Sequence, residues 1–536
     1  MYNLNLKKLK LKSSCDVLVL GSGIAGISAA VSAGEAGVSV IIACKGSLFS
    51  GSSFYPGTWG LGLIGPENAG DEEDLLRTIE EVGCGMARRE LAEGLVRGIS
   101  PAVKRAEDMG ISFEKARAGA GQREYIPCFD HKHRAWRGLR SDSCRRAFSA
   151  KLEELGTGVL SGWEAIELVK DSGRVCGAVL SSGQELMYVG CRAVILATGG
   201  CGGLFSRHIC SGDAEGLGQS LALDAGCRLI NMEFMQIMPA YLSPVRGTVF
   251  NEKTFRFCSL EAEGRDILKG RDSAALLQQR SGHGPFTSRL EDRAVDLAIL
   301  ESKGGVTVRY SRVLMDDPPE FIKTYFDWLC ETRGLTADDP AIIGLFAHAS
   351  NGGVCIEPDA STGTEGLWAA GEVTGGMHGA DRIGGLSAAN GLVYGLKAGS
   401  SAAAFAVNAP QAPENYGFSM LGNADWETYF RELREIMTDS AMVCRSEQGL
   451  NTALSQVRML AKKAELRPCS DISAVTGARR LHGQLQTAEC ILRAALLRRE
   501  SRGSHYRVDF PDENPELARR ISIRKENSAI LAEFEN

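Results

Sequence analysis

No two cysteines in this chain are spaced Cys-x-x-Cys, although 16 of them are scattered from Cys15 to Cys490. That excludes the usual cradle for an iron–sulfur cluster or a structural zinc and gives no metal site. The apolar company of residues such as Cys176 and Cys355 points instead to reduced, buried thiols of a cytoplasmic protein. Dense basic blocks are missing too, and the formal net charge is −6, which argues against nucleic acid as a partner. No apolar run approaches the roughly 20 residues of a spanning helix, so direct membrane insertion is not expected and membrane contact would run through a partner. The one Lys-rich stretch, Lys7-Lys8-Leu9-Lys10-Leu11-Lys12, is short and leads into a strand rather than a signal-peptide apolar region. It reads as a solvated lead-in. No internal repeat is visible.

What the chain does have is glycine at particular places. Val17-Leu18-Val19-Leu20 runs into Gly21-Ser22-Gly23-Ile24-Ala25-Gly26 and then an Ala-rich amphipathic stretch, and a second β-like run covers residues 38–43. Strand, Gly-x-Gly-x-x-Gly turn, helix and second strand form a βαβ unit that binds a dinucleotide. The glycines let the backbone approach a pyrophosphate whose charge rests on the helix N-terminus. Two later runs repeat the strand-to-turn pattern: Ala193-Val194-Ile195-Leu196-Ala197-Thr198-Gly199-Gly200, and Gly366-Leu367-Trp368-Ala369-Ala370-Gly371-Glu372. Strand ends converging on one ligand are expected at the crevice of an open parallel sheet. A bound dinucleotide narrows the function to redox chemistry.

With 536 residues, 44% of them hydrophobic, the chain has material for about two to four domains. The fold class is α/β: a Rossmann-like dinucleotide-binding domain in two segments (residues 1–231 and 344–407) around an inserted α+β capping domain (residues 232–343), then a C-terminal helical domain (residues 414–536). In that last part residues 450–466 and 478–499 show three- and four-residue apolar spacing, and from Arg507 on the chain looks extended and polar.

Taken together, these motifs resemble the flavoprotein family of fumarate reductase, succinate dehydrogenase and L-aspartate oxidase over nearly the full length. The matching residues are the fingerprint at 21–26, Ala197-Thr198-Gly199-Gly200, Ser211-Gly212-Asp213, Glu233-Phe234-Met235-Gln236, and Ala347-His348 with Gly352-Gly353. Ala370-Gly371-Glu372, His378-Gly379-Ala380-Asp381-Arg382 and Glu500-Ser501-Arg502-Gly503-Ser504-His505-Tyr506-Arg507 complete them.

The resemblance implies FAD under a mobile cap, and hydride transfer between flavin N5 and a C–C or C–N bond activated by a carboxylate. On it, Gly21, Gly23, Ile24, Ala25, Gly26, Cys44, Lys45, Ser52, Ser53, Gly60, Ala197, Thr198, Gly199, Gly200, Asp213, Glu372, Arg382, Ser387 and Ala388 hold the cofactor. Arg382 and His348 hold a substrate carboxylate, since a planar guanidinium matches a carboxylate, and His378 orients the flavin or its loop. An Arg of the cap exchanges the proton, with Arg289 the first choice and Arg293 the second, and Glu261 is placed as a relay.

Several departures bear on substrate and linkage. Where the family has an aromatic and then His-Pro-Thr after Met-Gln, this chain has Ile237-Met238-Pro239-Ala240. Met238 and Ala240 replace groups that hold the far carboxylate, which costs a dicarboxylate about 1–3 kcal/mol per missing partner and favours a monocarboxylate or an enoate with an apolar substituent. Ser53 stands where covalently flavinylated members carry His, so the FAD is expected to be non-covalent. Two further readings stay open: an electron-transferring subunit that passes electrons to an iron–sulfur or other protein partner, and an oxidase of the aspartate-oxidising kind. An oligomer is compatible with all of them.

Overall fold

The computed structural model describes residues 6–59, 61–115, 129–130, 132 and 134–535. At its centre lies a five-stranded, all-parallel sheet in the order Leu367–Ala369, Ala193–Leu196, Val17–Leu20, Val40–Cys44 and Gly158–Ser161. Its inner strands are unbroken apolar runs buried along their length, as a sheet covered on both faces requires. The strands end at Leu20, Leu196 and Ala369 on one edge, and the glycine turns follow there.

The helix after the first turn, Ile24–Glu35, lies against the long helix Leu386–Ala406. Their approach rests on Gly391, Gly395 and Gly399, spaced four apart so that they share one face. A Cβ at Gly395 would stand 2.5 Å from the carbonyl oxygen of Ala25, so nothing larger than hydrogen fits between the backbones.

The Lys-Leu lead-in is itself a strand, Leu6–Ser14, with Leu9 buried and Lys7, Lys8 and Lys10 exposed. The period-2 alternation of a half-buried strand explains the pattern. It pairs with Leu186–Gly190 on one side and Asn415–Ser419 on the other, which ties the chain's beginning to the segment after residue 407.

The cap is built on an antiparallel sheet in the order Met235–Ser243, Ala341–Ser350, Val306–Tyr310, Cys258–Ala262 and Arg265–Asp266, with the helix Glu320–Arg333 beside it. The boundary expected at residue 343 falls inside the strand Ala341–Ser350. That strand carries cap pairing at its start and His348 near its end, so one continuous element joins the cap to the cofactor side.

Three helices, Trp426–Ala441, Glu447–Lys463 and Ile472–Leu497, form the C-terminal part. The tail expected to be extended pairs its last part as a hairpin, Ile521–Glu526 with Ala529–Phe534, added to Leu229–Ile230. Ile521, Ile523 and Ile530 are buried, which drives it back onto the fold. Between helix and hairpin, buried charges knit the parts together: Arg498 Nε donates to Glu233 Oε1 at 2.7 Å, and both Arg498 Nη1 and Arg502 Nε donate to Glu500 Oε1 at 2.7 and 2.8 Å. Charges this deep persist only when paired, and the pairing fixes Glu233 just ahead of the strand that enters the site.

Candidate active site

The fingerprint turn sets the floor of the site. Gly21 has φ +112°, open to glycine but strained for other residues, and its Cα faces the carbonyl of Ala197 too closely for any Cβ. The helix that follows begins at Gly23 with no side-chain cap of its own. Ser53 Oγ accepts the N–H of Ile24 at 3.2 Å, so a hydroxyl from the Gly/Ser-rich loop meets the positive end of the helix. Ser52 Oγ accepts the N–H of Ser211 at 3.1 Å, and Ser50 Oγ donates to Asp213 at 3.3 Å, which ties that loop to the Ser-Gly-Asp segment.

These parts surround one cavity of about 990 Å³, at the upper end of the roughly 300–1,000 Å³ range of small-molecule sites. Gly21, Gly23, Ile24, Ala25, Cys44, Lys45, Ser52, Ser53, Ala197, Thr198, Gly199, Asp213, Glu372, Arg382, Ser387 and Ala388 line it. Gly26 and Gly200 stand just behind: Gly26 packs on the carbonyl of Gly21, and Gly200 leaves room for the carboxylate of Glu372. Gly60 lies outside the described residues. Glu372 Oε1 accepts the N–H of Ser350 at 2.9 Å, and burial raises its pKa against the pull of that N–H and of Arg382. Lys45 is paired with Glu215 at 2.8 Å and Glu164 at 3.3 Å.

The residues present fit a dinucleotide. The lining includes both Lys45 and Arg382, a helix N-terminus without a side-chain cap of its own opens into it, and Gly21 and Gly26 form a cradle that any Cβ would fill. The backbone N–H groups of such a turn are donors for a phosphate charge. Among the described residues no three His, Cys, Asp or Glu side chains gather as metal ligands, and no helix is long and apolar enough to cross a membrane.

Toward the cap, the cavity is lined by Met238, His348 and Arg382 together. Arg382 is 7% exposed, and its Nε donates to Gln236 Oε1 at 3.0 Å. Gln236 in turn donates to the carbonyl of Arg382 at 3.1 Å. His348 has its pKa pushed down to about 3 by burial and then by the charge of Arg382, against a backbone hydrogen bond at Ile209. It is therefore a neutral imidazole at any ordinary pH, and its Nδ1 has no partner among the described residues. His378 is likewise held near 3 by burial and by Arg382, but it sits behind the wall rather than on it. Met238 packs with Ile209, Ala240 and Phe346, and with Val249 and Tyr55 at their edge; of these, Met238, Ile209 and Val249 line the cavity.

Three expected residues are elsewhere. Arg289 does not line the cavity: its Nε is paired with Asp381 Oδ2 at 3.2 Å, and its guanidinium lies 5.5 Å from the ring centre of Phe129. Glu261 is on the outer cap strand, paired with Arg309 at 3.0 Å. Arg293, the second choice, donates to the carbonyl of Ser288 at 2.7 Å. The reason is local in each case, since a carbonyl or carboxylate at hand takes the side chain before the cavity is reached.

The sequence reading missed Glu252. It enters the cavity from the cap with Phe250 and Asn251, at the start of the 3-10 turn Glu252–Phe257, where the Asn251 side chain caps the N–H of Lys253 at 3.0 Å. Burial lifts its carboxyl to about 7, against its own backbone N–H, Arg280 and Lys253. The only signal in the sequence was an Asn-Glu step of the kind that opens a helical turn, which says nothing of a cavity. Gln236 lay within a matched motif, but its grip on Arg382 shows only in three dimensions.

Comparison with known proteins agrees with this architecture. The FAD binding domain family matches residues 16–388, and the fumarate reductase flavoprotein C-terminal family matches residues 430–531. A fumarate reductase (CoM/CoB) subunit from Methanothermobacter marburgensis is 29% identical, over 95% of this chain and 97% of its own length. The L-aspartate oxidase of Vibrio cholerae is 27% identical over 95% of this chain and 98% of its own. Among solved structures, the flavoprotein chain of an E. coli quinol fumarate reductase superposes with a TM-score of 0.78 at 20% identity, covering 98% of this chain and 96% of that one. A Mycobacterium smegmatis Sdh1 complex chain gives 0.77 at 24% identity, covering 98% and 94%. At those identities the structural likeness speaks for the fold alone.

Proposed function

The chain belongs to the flavoprotein family of fumarate reductase, succinate dehydrogenase and L-aspartate oxidase and is an FAD-dependent oxidoreductase, and we propose that its substrate is a small monocarboxylic enoate or the corresponding saturated acid. FAD, when bound, supplies the two-electron redox chemistry. The chain's own residues do the rest. Arg382, aligned by Gln236, takes the carboxylate in a planar, charge-assisted contact. Neutral His348 adds a hydrogen bond beside it. Glu252 holds a proton on its carboxyl near neutral pH, the condition for general acid–base work, and exchanges it with the carbon next to the carboxylate. The cap covers the site, and water excluded there strengthens each of these contacts.

The observation that carries this reading is what lines the cap side of the cavity: a buried, oriented Arg382 together with the apolar Met238, Ile209 and Val249. A dicarboxylate would bury its second charge against those apolar side chains without a partner. The test is anaerobic reoxidation of the dithionite-reduced flavin by a panel of enoates. Crotonate-like monocarboxylates should reoxidise it faster than fumarate, and the reverse order would sink the proposal. On the likeness to a protein named as one part of a larger reductase, electrons reach the flavin from a partner protein. Fast exchange with quinones and none with any enoate would favour the electron-transfer reading, and peroxide release in air an oxidase.

A further inference from the structure

Tryptophan is scarce in this chain, six residues in 536, yet Trp59, Trp136, Trp163 and Trp328 all line the cavity. Trp163 stands at the Lys45 end, where its backbone N–H donates to the carbonyl of Cys44 at 3.0 Å. Trp59 and Trp328 stand at the cap, and the proposed chemistry uses neither. The helix Glu320–Arg333 presents Phe321, Tyr325 and Trp328 to the cavity, at spacings of four and three that share one helix face. Phe321 meets the indole of Trp59 edge to face, with ring centres 4.5 Å apart at 71°, and Tyr325 meets the same indole at 5.7 Å and 71°. Tyr325 is buried and anchors the group, its hydroxyl donating to the carbonyl of Val249 at 2.9 Å. Trp59, Phe321 and Trp328 are half-buried, so their packing on one another leaves ring surface toward the cavity.

This aromatic wall adjoins the reacting end. Val249, which packs at the edge of the Met238 cluster, is the residue that Tyr325 holds. Its N–H donates to the carbonyl of Gly57 at 2.8 Å, two residues before Trp59. Lys253, the neighbour of Glu252, places its Nζ 5.8 Å from the centre of the Phe321 ring. We propose that the wall seats an aromatic ring carried on the β-carbon of the enoate, so that the substrate class is the 3-arylacrylates, with cinnamate the simplest member. The proposal rests on the enoate reading above for the reacting half of the molecule. An edge-to-face pair occupies one ring's face and the other's edge, and the faces that remain suit a third ring. An aryl ring conjugated to the double bond is also rigid and planar, so little conformational freedom is lost when it is held. Crotonate leaves the same surface to water, and its displacement by an apolar ring is the favourable step.

The experiment uses the full-length, flavin-loaded protein and the variants F321A, W328A and W328F, with dithionite as reductant under anaerobic conditions. In the parent, kcat/KM for cinnamate should exceed that for crotonate about tenfold or more, the scale of burying a ring against aromatic partners. That ratio should fall about fivefold or more in F321A and W328A and be largely restored in W328F. Saturated acids give a readout free of turnover: 3-phenylpropionate should perturb the visible flavin band with a Kd about tenfold below that of butyrate. No preference for cinnamate over crotonate in the parent overturns the proposal, and so does a preference that F321A and W328A both leave intact. Flavin absorbance lost from both variants overturns it as well, since the wall would then be holding the cofactor. Should the variants not fold, the two comparisons on the parent decide. If the parent turns over no enoate, the enoate reading fails, and the acids decide the seat: equal Kd values for 3-phenylpropionate and butyrate overturn it, and a tenfold difference upholds it.

Discussion

Gln236 and Arg382 hold each other by two reciprocal hydrogen bonds, guanidinium to amide oxygen at 3.0 Å and amide nitrogen to backbone carbonyl at 3.1 Å. The first sets the plane of the guanidinium and the second sets the chain that carries it. A carboxylate bound in a fixed fork requires both, because a guanidinium free to rotate loses the geometric match. Replacing Gln236 by Leu keeps the volume and removes both bonds. A hydrogen bond to a charged group contributes about 1.5–3 kcal/mol, so Q236L should lower kcat/KM by about 10- to 100-fold, chiefly through KM. The flavin content of the purified variant, read from its visible absorbance, should match the parent.

Two titrating groups in the same cavity are separated by their surroundings. Burial raises Glu252 to about 7 and lowers His348 to about 3, so each is pushed toward its neutral form. A carboxyl with a raised pKa is protonated below that value and gives up its proton above it. Enoate reduction, which consumes a proton, should therefore slow as the pH rises through about 7, while the reverse desaturation should quicken. E252Q should abolish that limb and lower kcat by about 10²–10⁴-fold, the usual scale of a lost general acid. Histidine ring NMR signals of His348 should not move between pH 5 and 9; a shift centred near 6.5 would refute the assignment of the limb to Glu252.

Much of the cofactor half was legible because its causes are local. Gly21, Gly199 and the strand ends before them announce a turn and a close approach through residue type alone, and the apolar runs at 17–20 and 193–196 have only one place in a parallel sheet. The cap was legible as a change of character but not in its contacts. Arg289 and Glu252 show why: both are charged residues beside short helical turns, and nothing in their neighbourhood along the chain tells which faces Asp381 and which faces the cavity. That choice is made by pairing across 92 residues and by a strand, Ala341–Ser350, that crosses the expected domain boundary. The pairing of the C-terminal tail was hidden for a similar reason, because its alternating isoleucines count only once Leu229–Ile230 is there to accept a strand.

On the enoate reading, Met238 faces the far end of the substrate. It is 9% exposed, packed with Ile209, Ala240 and Phe346, and it offers no hydrogen-bond donor. M238H would place an imidazole where a second carboxylate would lie. Its effect should be opposite on two substrates: fumarate kcat/KM up about tenfold, from one gained polar contact of about 1–2 kcal/mol, and crotonate kcat/KM down by a similar factor, because the new ring is left without a partner. Equal changes for both substrates would mean that Met238 does not face the substrate's far end.

Ser53 bears on how the FAD is retained. Its hydroxyl is engaged with the N–H of Ile24 at 3.2 Å, a neutral contact at the start of a helix, and a serine hydroxyl without an adjacent base is a poor nucleophile. On the non-covalent reading, fit and hydrogen bonds hold the cofactor. Acid precipitation should leave a colourless pellet and a yellow supernatant, whereas colour retained in the pellet after washing would establish a covalent link. S53A removes the acceptor at the helix start, and a lost cap of this kind costs about 1 kcal/mol. FAD affinity, followed by fluorescence quenching on titration of the apoprotein, should respond in the opposite sense to a simple loss of packing: the freed Ile24 N–H turns to the cofactor, so S53A should bind FAD as tightly as the parent or better while its thermal stability without FAD drops.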